Sequence, residues 1–407
     1  MKKVVIIGGG YAGISAAREL AKRDDIDICL IDKHSYHNLQ PEVYDLIAGK
    51  SDIADVTIDL VTLSLGLSKR VDFLNRRVTS IDRENKIVKT EEQDDITYDY
   101  LIIAAGARTF FPHQIEGLDA SNDLKKLHKA LNFKQKFEKA LFKKIDNEAR
   151  KCEELNIVVV GGGLSGVEIA AEMAYYSQKF FKKGQFACEY MNIYLISGTP
   201  TLLPGMSQFL IDKTHRRLSD LKVKILTNKL MSKNDDEFVY LSDESRIRYD
   251  FMIFAGGIES ANLSNRIEDL EKNKRGQFVV DSRCKATKDD SIYICGDIAE
   301  LKNPDGEYTP ANVQNSVHSA QVASANICAQ IDNKEGVEYN FKNPGVLVAL
   351  GGRYAAAEIG SKIKLSGFIA YVLKHVVFYK YKLPLIWISK KGYLKLKVTN
   401  VKKVRST

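Results

Sequence analysis

The chain has 407 residues, is 44% hydrophobic and 28% charged, and carries a formal net charge of +8. That is the balance of a folded globular protein with room for two or three domains, and it excludes a disordered or fibrous chain. The charge is lopsided: twelve of the 60 basic residues and none of the 52 acidic ones fall in 359–407, so an acidic body carries a basic tail suited to an anionic surface.

After Met1-Lys2-Lys3 the sequence enters Val4-Val5-Ile6-Ile7, with no cleavable leader ahead of it. It then passes through Gly8-Gly9-Gly10-Tyr11-Ala12-Gly13 into an alanine-rich helical pattern that reaches Lys22. Strand, glycine turn and helix in this order form a dinucleotide site. Gly8, Gly10 and Gly13 let the chain turn and let a pyrophosphate reach the free N–H groups of the helix start. A second β-branched run, Ile28 to Ile31, ends at Asp32-Lys33, where such folds place a carboxylate for a ribose hydroxyl. Tyr98 to Gly106 reads as a further strand closing on the small residues Ala105 and Gly106, and it resembles the strand and turn that flavin disulfide-reductase-like proteins place beside the nucleotide. From Leu124 to Lys151 lysines alternate with Phe133, Phe137, Leu141 and Ile145 at helical spacing, the pattern of a surface helix with a solvated basic face.

The first unit then recurs. Ile157-Val158-Val159-Val160 leads into Gly161-Gly162-Gly163-Leu164-Ser165-Gly166 and a second helix, so Gly161, Gly163 and Gly166 are predicted to cradle a second nucleotide. Its second strand ends at Ser197, a hydroxyl where the first unit has a carboxylate. Strands at Phe251 to Ala255 and Ile292 to Cys295 follow, the latter running into Gly296-Asp297; this resembles the late FAD fingerprint of flavin disulfide-reductase-like proteins, which implies that the aspartate bonds the ribityl chain. The six cysteines form no C-x-x-C pair, Cys295 reads as a buried filler, and the usage fits a reducing, cytoplasmic compartment. No stretch approaches the roughly 20 apolar residues of a membrane span. The predicted fold is α/β, with two Rossmann-like dinucleotide-binding domains and a C-terminal membrane-associating segment. The expected division is a flavin domain at 1–112 and 277–330, a nicotinamide domain at 113–276 and the membrane-associating region at 331–407.

Together these motifs resemble the type II NADH dehydrogenases, the single-subunit NADH:quinone oxidoreductases, over nearly the whole chain. Tyr36-His37-Asn38-Leu39-Gln40-Pro41-Glu42-Val43-Tyr44 is similar to the family's loop against the flavin, which implies a flavin contact for Gln40. Gly166-Val167-Glu168 is similar to its second fingerprint helix, with Glu168 facing the redox site. Pro310 to His318 occupies the place of its quinone-site motif, with Gln314 kept and His318 where a paired glutamine stands. Leu350 to Tyr354 and Leu365 to Ala370 match the start of the membrane-associated tail, in which a lysine, here Lys374, approaches the flavin.

The resemblance implies non-covalent FAD, hydride transfer from NADH or NADPH to it, and onward reduction of a membrane quinone without proton pumping. Glu168, Gln314 and His318 are the expected catalytic wall, and no metal is needed. It also implies a monotopic protein on the cytoplasmic side of the cell membrane, a homodimer left open, and no nucleic-acid partner. Ser197 leaves the choice between NADH and NADPH open, since it neither repels nor attracts a 2′-phosphate. Two other readings stand beside this one: a sulfide:quinone oxidoreductase, whose cysteine after the second glycine turn is missing here, and a flavin-bearing binding or signalling protein. A chain ending near Leu365 is expected to stay folded around its flavin.

Overall fold

The structure is a computed structural model that describes all residues except 94, 119–122, 147–153, 185–190, 361 and 406–407, with the backbone alone at 144–146, 181, 183–184 and 397–405. Cys152 and Cys188 lie outside the described residues.

The β-branched runs form parallel strands because both of their faces are covered by helices, which rewards continuous apolar sequence over alternation. Lys2–Ile7 (β1), Ile26–Asp32 (β2), Val71–Asn75 (β3) and Tyr100–Ile103 (β4) begin the first sheet, with Val4 opposite both Ile28 and Tyr100. Leu155–Val160 (β5), Met191–Ile196 (β6), Lys224–Leu226 (β7) and Phe251–Phe254 (β8) make a second parallel sheet in the order β7-β6-β5-β8. The chain then returns to the first sheet with Ile292–Ile294 (β9), giving β9-β4-β1-β2-β3. In both sheets the strand that opens a glycine turn lies inside, so each turn emerges at the carboxyl edge where doubly wound folds bind ligands.

A third, antiparallel sheet follows, Gly345–Ala349 (β10), Ala355–Ile359 (β11) and Ile363–Gly367 (β12). The helices that matter to the site are Tyr11–Leu20 (α1), Val43–Ile47 (α2), Leu60–Leu67 (α3), Leu127–Asp146 (α4), Leu164–Gly184 (α5), Val313–Ile331 (α6) and Phe368–Arg405 (α7). On α4, Phe133, Phe137 and Leu141 are buried as the spacing requires.

The basic tail is one long helix, and it is not a detachable appendage. Gly66 of α3 and Gly392 of α7 let the two backbones meet: a Cβ on either would overlap the carbonyl of Ile388 or of Thr62. Thr62 and Ser389 share a hydroxyl hydrogen bond of 2.6 Å, and Lys395 donates to the Leu65 carbonyl at 2.5 Å. Leu385 is fully buried in the core around the first sheet, and the Tyr381 hydroxyl meets His37 Nε2 at 3.1 Å. A chain ending near Leu365 would therefore strip a packed face from α3, which corrects the expectation that it keeps its fold.

The other side of α7 faces outward. Ile369, Val372, Val376, Tyr379, Leu383 and Trp387 recur at three and four residues and are all exposed, Ile369 and Trp387 by about two thirds. Over 18 helical steps the stripe is roughly 27 Å long. An apolar patch of this length marks an interaction surface. Among the described residues no helix is long and apolar enough to cross a membrane.

Burial of His37 has a consequence for stability. Loss of hydration pushes its pKa down to about 3, whereas the unfolded chain binds that proton near 6.5. Between these values the unfolded state holds more protons, so this group makes stability rise with pH across that window. The expected contribution is on the order of a few kcal/mol. Urea midpoints taken at pH 4 and pH 7 for the protein and for His37→Gln check it: the gain with pH should shrink in the variant.

Candidate active site

The two glycine turns are built alike. Gly8 N–H donates to the Ile31 carbonyl and Gly161 N–H to the Ile196 carbonyl, both at 2.8 Å. Gly8 and Gly161 have φ of +114° and +127°, where an L side chain is strained, and a Cβ on either would overlap the carbonyl of Ala104 or Ala255. A Cβ on Gly13 or Gly166 would overlap the carbonyl of Gly8 or Gly161, so these two glycines are demanded by the packing of helix on turn. Gly10, Gly163 and Gly106 differ. A Cβ on any of them meets nothing within 4 Å, which is the clearance a phosphate needs to approach the helix start.

The strand ends beside the turns also differ. Asp32 accepts from Gly9 N–H at 2.6 Å and from His34 N–H at 2.7 Å, so its carboxylate is fixed at the edge of the first turn. Exposed Lys33 stands next to it in a basic rim with Arg77 and Lys126. Ser197 is buried against Gly162, and its hydroxyl is 2.8 Å from that of Thr199. It is occupied within its own turn.

Three further elements bring polar groups to the two turns. Asp297, just beyond β9, accepts from Ser316 of α6 at 3.1 Å, and burial raises its pKa against the pull of Lys125. Gln40 follows the short strand Tyr36–Asn38, its Oε1 accepting from Asn38 at 3.1 Å and its buried Nε2 without a partner. Tyr44 on α2 lies beside Gln40, Ser165 and Glu168, and burial pushes its hydroxyl up to about 12. An orphaned amide N–H, open Gly10 and Gly106, and Asp297 behind them fit an elongated polar cofactor. A buried donor left unpaired costs roughly 1–3 kcal/mol.

Next to this wall lies a buried charge cluster. Lys50 Nζ donates to Asp45 at 2.6 Å and to Glu172 at 2.9 Å. Glu168 accepts from Ala349 N–H at 2.9 Å, and Glu172 accepts from Gly352 N–H at 3.2 Å, so β10 and the turn after it hold both acids of α5. Lys374 of α7 faces Glu168, Asp45, Glu42 and Glu172; burial alone would lower its pKa, yet the four carboxyls raise it. Burial is the largest cause of the raised pKa of Glu168, with Lys374 and the Ala349 N–H opposing it.

This arrangement brings Glu168, Lys374 and Gln40 together. It does not bring in His318. Ser316 faces Asp297, and two residues on, about 200° around the helix, the His318 ring packs at 5.4 Å from Tyr339 and 5.8 Å from Phe341. Its buried Nε2 has no hydrogen-bond partner among the described residues. Gln314, one turn earlier on α6, is half-buried.

The family model for pyridine nucleotide-disulphide oxidoreductases matches residues 2–326. The chain belongs to that family. It is 26% identical to the type II NADH:quinone oxidoreductase of Haemophilus influenzae over 89% of this chain and 88% of that protein. It is equally similar to NdhA of Mycobacterium tuberculosis, over 92% and 83%. In fold it resembles NDH2 from Plasmodium falciparum in complex with NADH, with a TM-score of 0.83, 21% identity and 98% of each chain covered. The sulfide:quinone oxidoreductase of Aquifex aeolicus follows at 0.78 and 20%, over 96% and 92%.

As a member of the pyridine nucleotide-disulphide oxidoreductase family the chain is an α/β flavoprotein-type oxidoreductase, yet no described cysteine stands in the charged cluster. Cys29, Cys284 and Cys295 are buried, and burial pushes Cys295 up to about 12, the packing role its sequence suggests. Several site residues escape sequence reasoning. Lys125 is held between Asp123 and Asp297, and Tyr11 packs on His37 and Tyr381 at 4.7 and 4.9 Å. Glu42, Asp45 and Lys50 carried one signal, three charges within an otherwise apolar segment, and only the fold turns them inward.

Proposed function

We propose that this oxidoreductase binds FAD on the first turn and NADH or NADPH on the second, and passes electrons to a membrane quinone. The flavin domain would comprise 1–112 and 277–330, the nicotinamide domain 113–276 and the membrane-associating region 331–407. One observation carries the reading: α7 presents an apolar stripe outward and, from the same helix, sends Lys374 to the buried carboxyls beside Gln40. An apolar acceptor held at that stripe would have a short route to the site. Bound FAD supplies the two-electron relay between nicotinamide and quinone.

The chain's own residues do the rest. Asp32 is placed for a ribose hydroxyl, with Lys33 at its rim, and Gly10 and Ala105-Gly106 leave the nucleotide its room. Gln40 Nε2 would donate to the cofactor and Asp297 would hold the ribityl chain. Glu168 and Lys374 would manage protons and charge where quinone meets flavin, with Gln314 on the α6 side. Stopped-flow bleaching of the holoprotein by NADH, NADPH and sulfide tests the donor. Rapid bleaching by sulfide with none by a nicotinamide would transfer the reading to sulfide oxidation.

Ser197 lacks the charge that repels a 2′-phosphate, so discrimination between NADH and NADPH should be weak. Ser197→Glu is expected to shift preference toward NADH by ~1–2 kcal/mol, the scale of a hydrogen bond to a charged group. Ratios of kcat/KM for the two nucleotides check this.

The stripe and the basic residues predict a monotopic attachment. Near an anionic surface each lysine contributes roughly 1 kcal/mol, and the exposed side chains of α7 would enter the acyl boundary. The protein should sediment with anionic vesicles and be released in part by salt. Serine at Ile369, Val376, Leu383 and Trp387 together should leave most of it in the supernatant, without touching the face that packs on α3.

A further inference from the structure

We propose that Lys125 binds the cofactor phosphate nearest the flavin, so that a residue of the second dinucleotide unit completes the nucleotide site of the first. The proposal rests on the FAD reading of the first turn. It adds a residue that neither the glycine motif nor the strand-end carboxylate announces.

Backbone contacts fix its position from two sides. Lys125 N–H donates to Asp123 at 2.9 Å, and Asp123, fully enclosed at 2% exposure, accepts from Thr109 Oγ1 at 2.8 Å. Asn38 Nδ2 donates to the Lys125 carbonyl at 3.3 Å and to Gln40 Oε1 at 3.1 Å. Lys125 is thus tied to the short strand Ala107–Thr109, just past Gly106, and to the segment that carries the orphaned amide of Gln40. Its neighbour Leu124 is buried in the core around the second sheet, so by packing the segment belongs to the second unit.

The ammonium stands where the cofactor's anionic part must pass. Asp297 acts on it more strongly than Asp123 does. A Cβ on Gly296, the residue before Asp297, would stand 3.0 Å from the Cβ of Ala12 in the first turn of α1. Asp297 therefore lies close to the start of that helix, and Lys125 lies beside Asp297. In FAD the ribityl chain ends on a phosphate. A cation next to the aspartate that would hold the chain is also next to that phosphate.

Charge balance asks for an anion there. Lys50 and Lys374 are ringed by carboxyls that raise their pKa values despite burial. Lys125 is not: burial lowers its pKa, and the pull of Asp297 and Asp123 does not offset it. Burial also raises Asp297, which weakens it as a counter-ion. Among the described residues Lys125 forms no ion pair. A desolvated ammonium is costly without a partner, and a phosphate oxygen is a strong one for lysine.

Holoprotein purified in excess FAD carries the test. Phosphorus NMR resolves the two phosphates of the bound cofactor. Lys125→Met keeps the side-chain stem, removes the charge, and should shift one resonance while leaving the other. On dilution into flavin-free buffer its FAD, followed by the rise in fluorescence, should leave faster by about tenfold or more, the scale of a lost hydrogen bond to a charged group. Lys125→Arg should move the same resonance but release FAD nearly as slowly as the parent. A folded Lys125→Met that retains no flavin would support the contact. Release at the parent's rate in Lys125→Met would overturn the proposal, as would faster release with neither resonance moved, or a Lys125→Arg as defective as Lys125→Met. If Lys125→Met does not fold, the resonance in Lys125→Arg decides, and an unmoved one counts against the proposal. A folded parent that holds no FAD would sink the reading of the first turn instead.

Discussion

Replacing Gly10 with leucine is expected to yield a folded but colourless protein. A Cβ at this position meets nothing within 4 Å, so the fold itself does not resist the side chain. The space is nevertheless the approach to the first N–H groups of α1, and four extra carbons there would hold a pyrophosphate off them. Gly13→Leu is the contrast. There the added Cβ runs into the Gly8 carbonyl, so the turn must break and the first sheet loses its central connection. Flavin absorbance per mole and circular dichroism separate the two: Gly10→Leu should lose the first and keep the second, and Gly13→Leu should lose both. Full occupancy in Gly10→Leu would remove that turn from the site.

Lys374→Met carries the second large effect. Four carboxyls would then share only Lys50, a partly exposed ammonium, and removing one partner of a buried ionic group costs about 3–5 kcal/mol. Protonation of Glu168 or Glu172 would relieve part of this, so the loss should be larger at high pH than at pH 6. The sign follows from the raised carboxyls: above their folded pKa the fold must hold the charge, whereas below it the proton removes it. Urea unfolding of parent and variant at pH 6 and pH 9 measures the difference. A variant as stable as its parent at pH 9 would show that Lys374 does not neutralise the cluster.

Much of this was legible in the chain. The paired runs before Gly8 and Gly161, the glycines themselves and Asp32 encode local turns and buried strands, which short-range pattern specifies. Strands at Tyr100, Phe251 and Ile292 begin where their apolar runs begin. The third sheet was not legible: Gly345–Ala349 and Ala355–Ile359 are short and small-residued, and their pairing is decided by packing on α5. The tail was half legible. Its basic charge and aromatic content suggest a surface helix, but the Gly66 to Gly392 contact joins residues over 300 positions apart and gives no local sign. His318 shows the same limit, because helical phase against Asp297 and Tyr339 is a tertiary property. Lys50 and Glu172 are ordinary surface charges until α2 and α5 meet.

The most direct measurement follows the bound flavin through one full cycle. Holoprotein is mixed anaerobically with one equivalent of NADH, then with a soluble quinone, and the visible flavin band is recorded in both steps. Rapid bleaching by NADH and complete, rapid recovery on quinone are expected, with one quinol formed per flavin. Bleaching without recovery, or recovery no faster than that of free reduced flavin, would contradict electron transfer from nicotinamide to quinone as the work of this site.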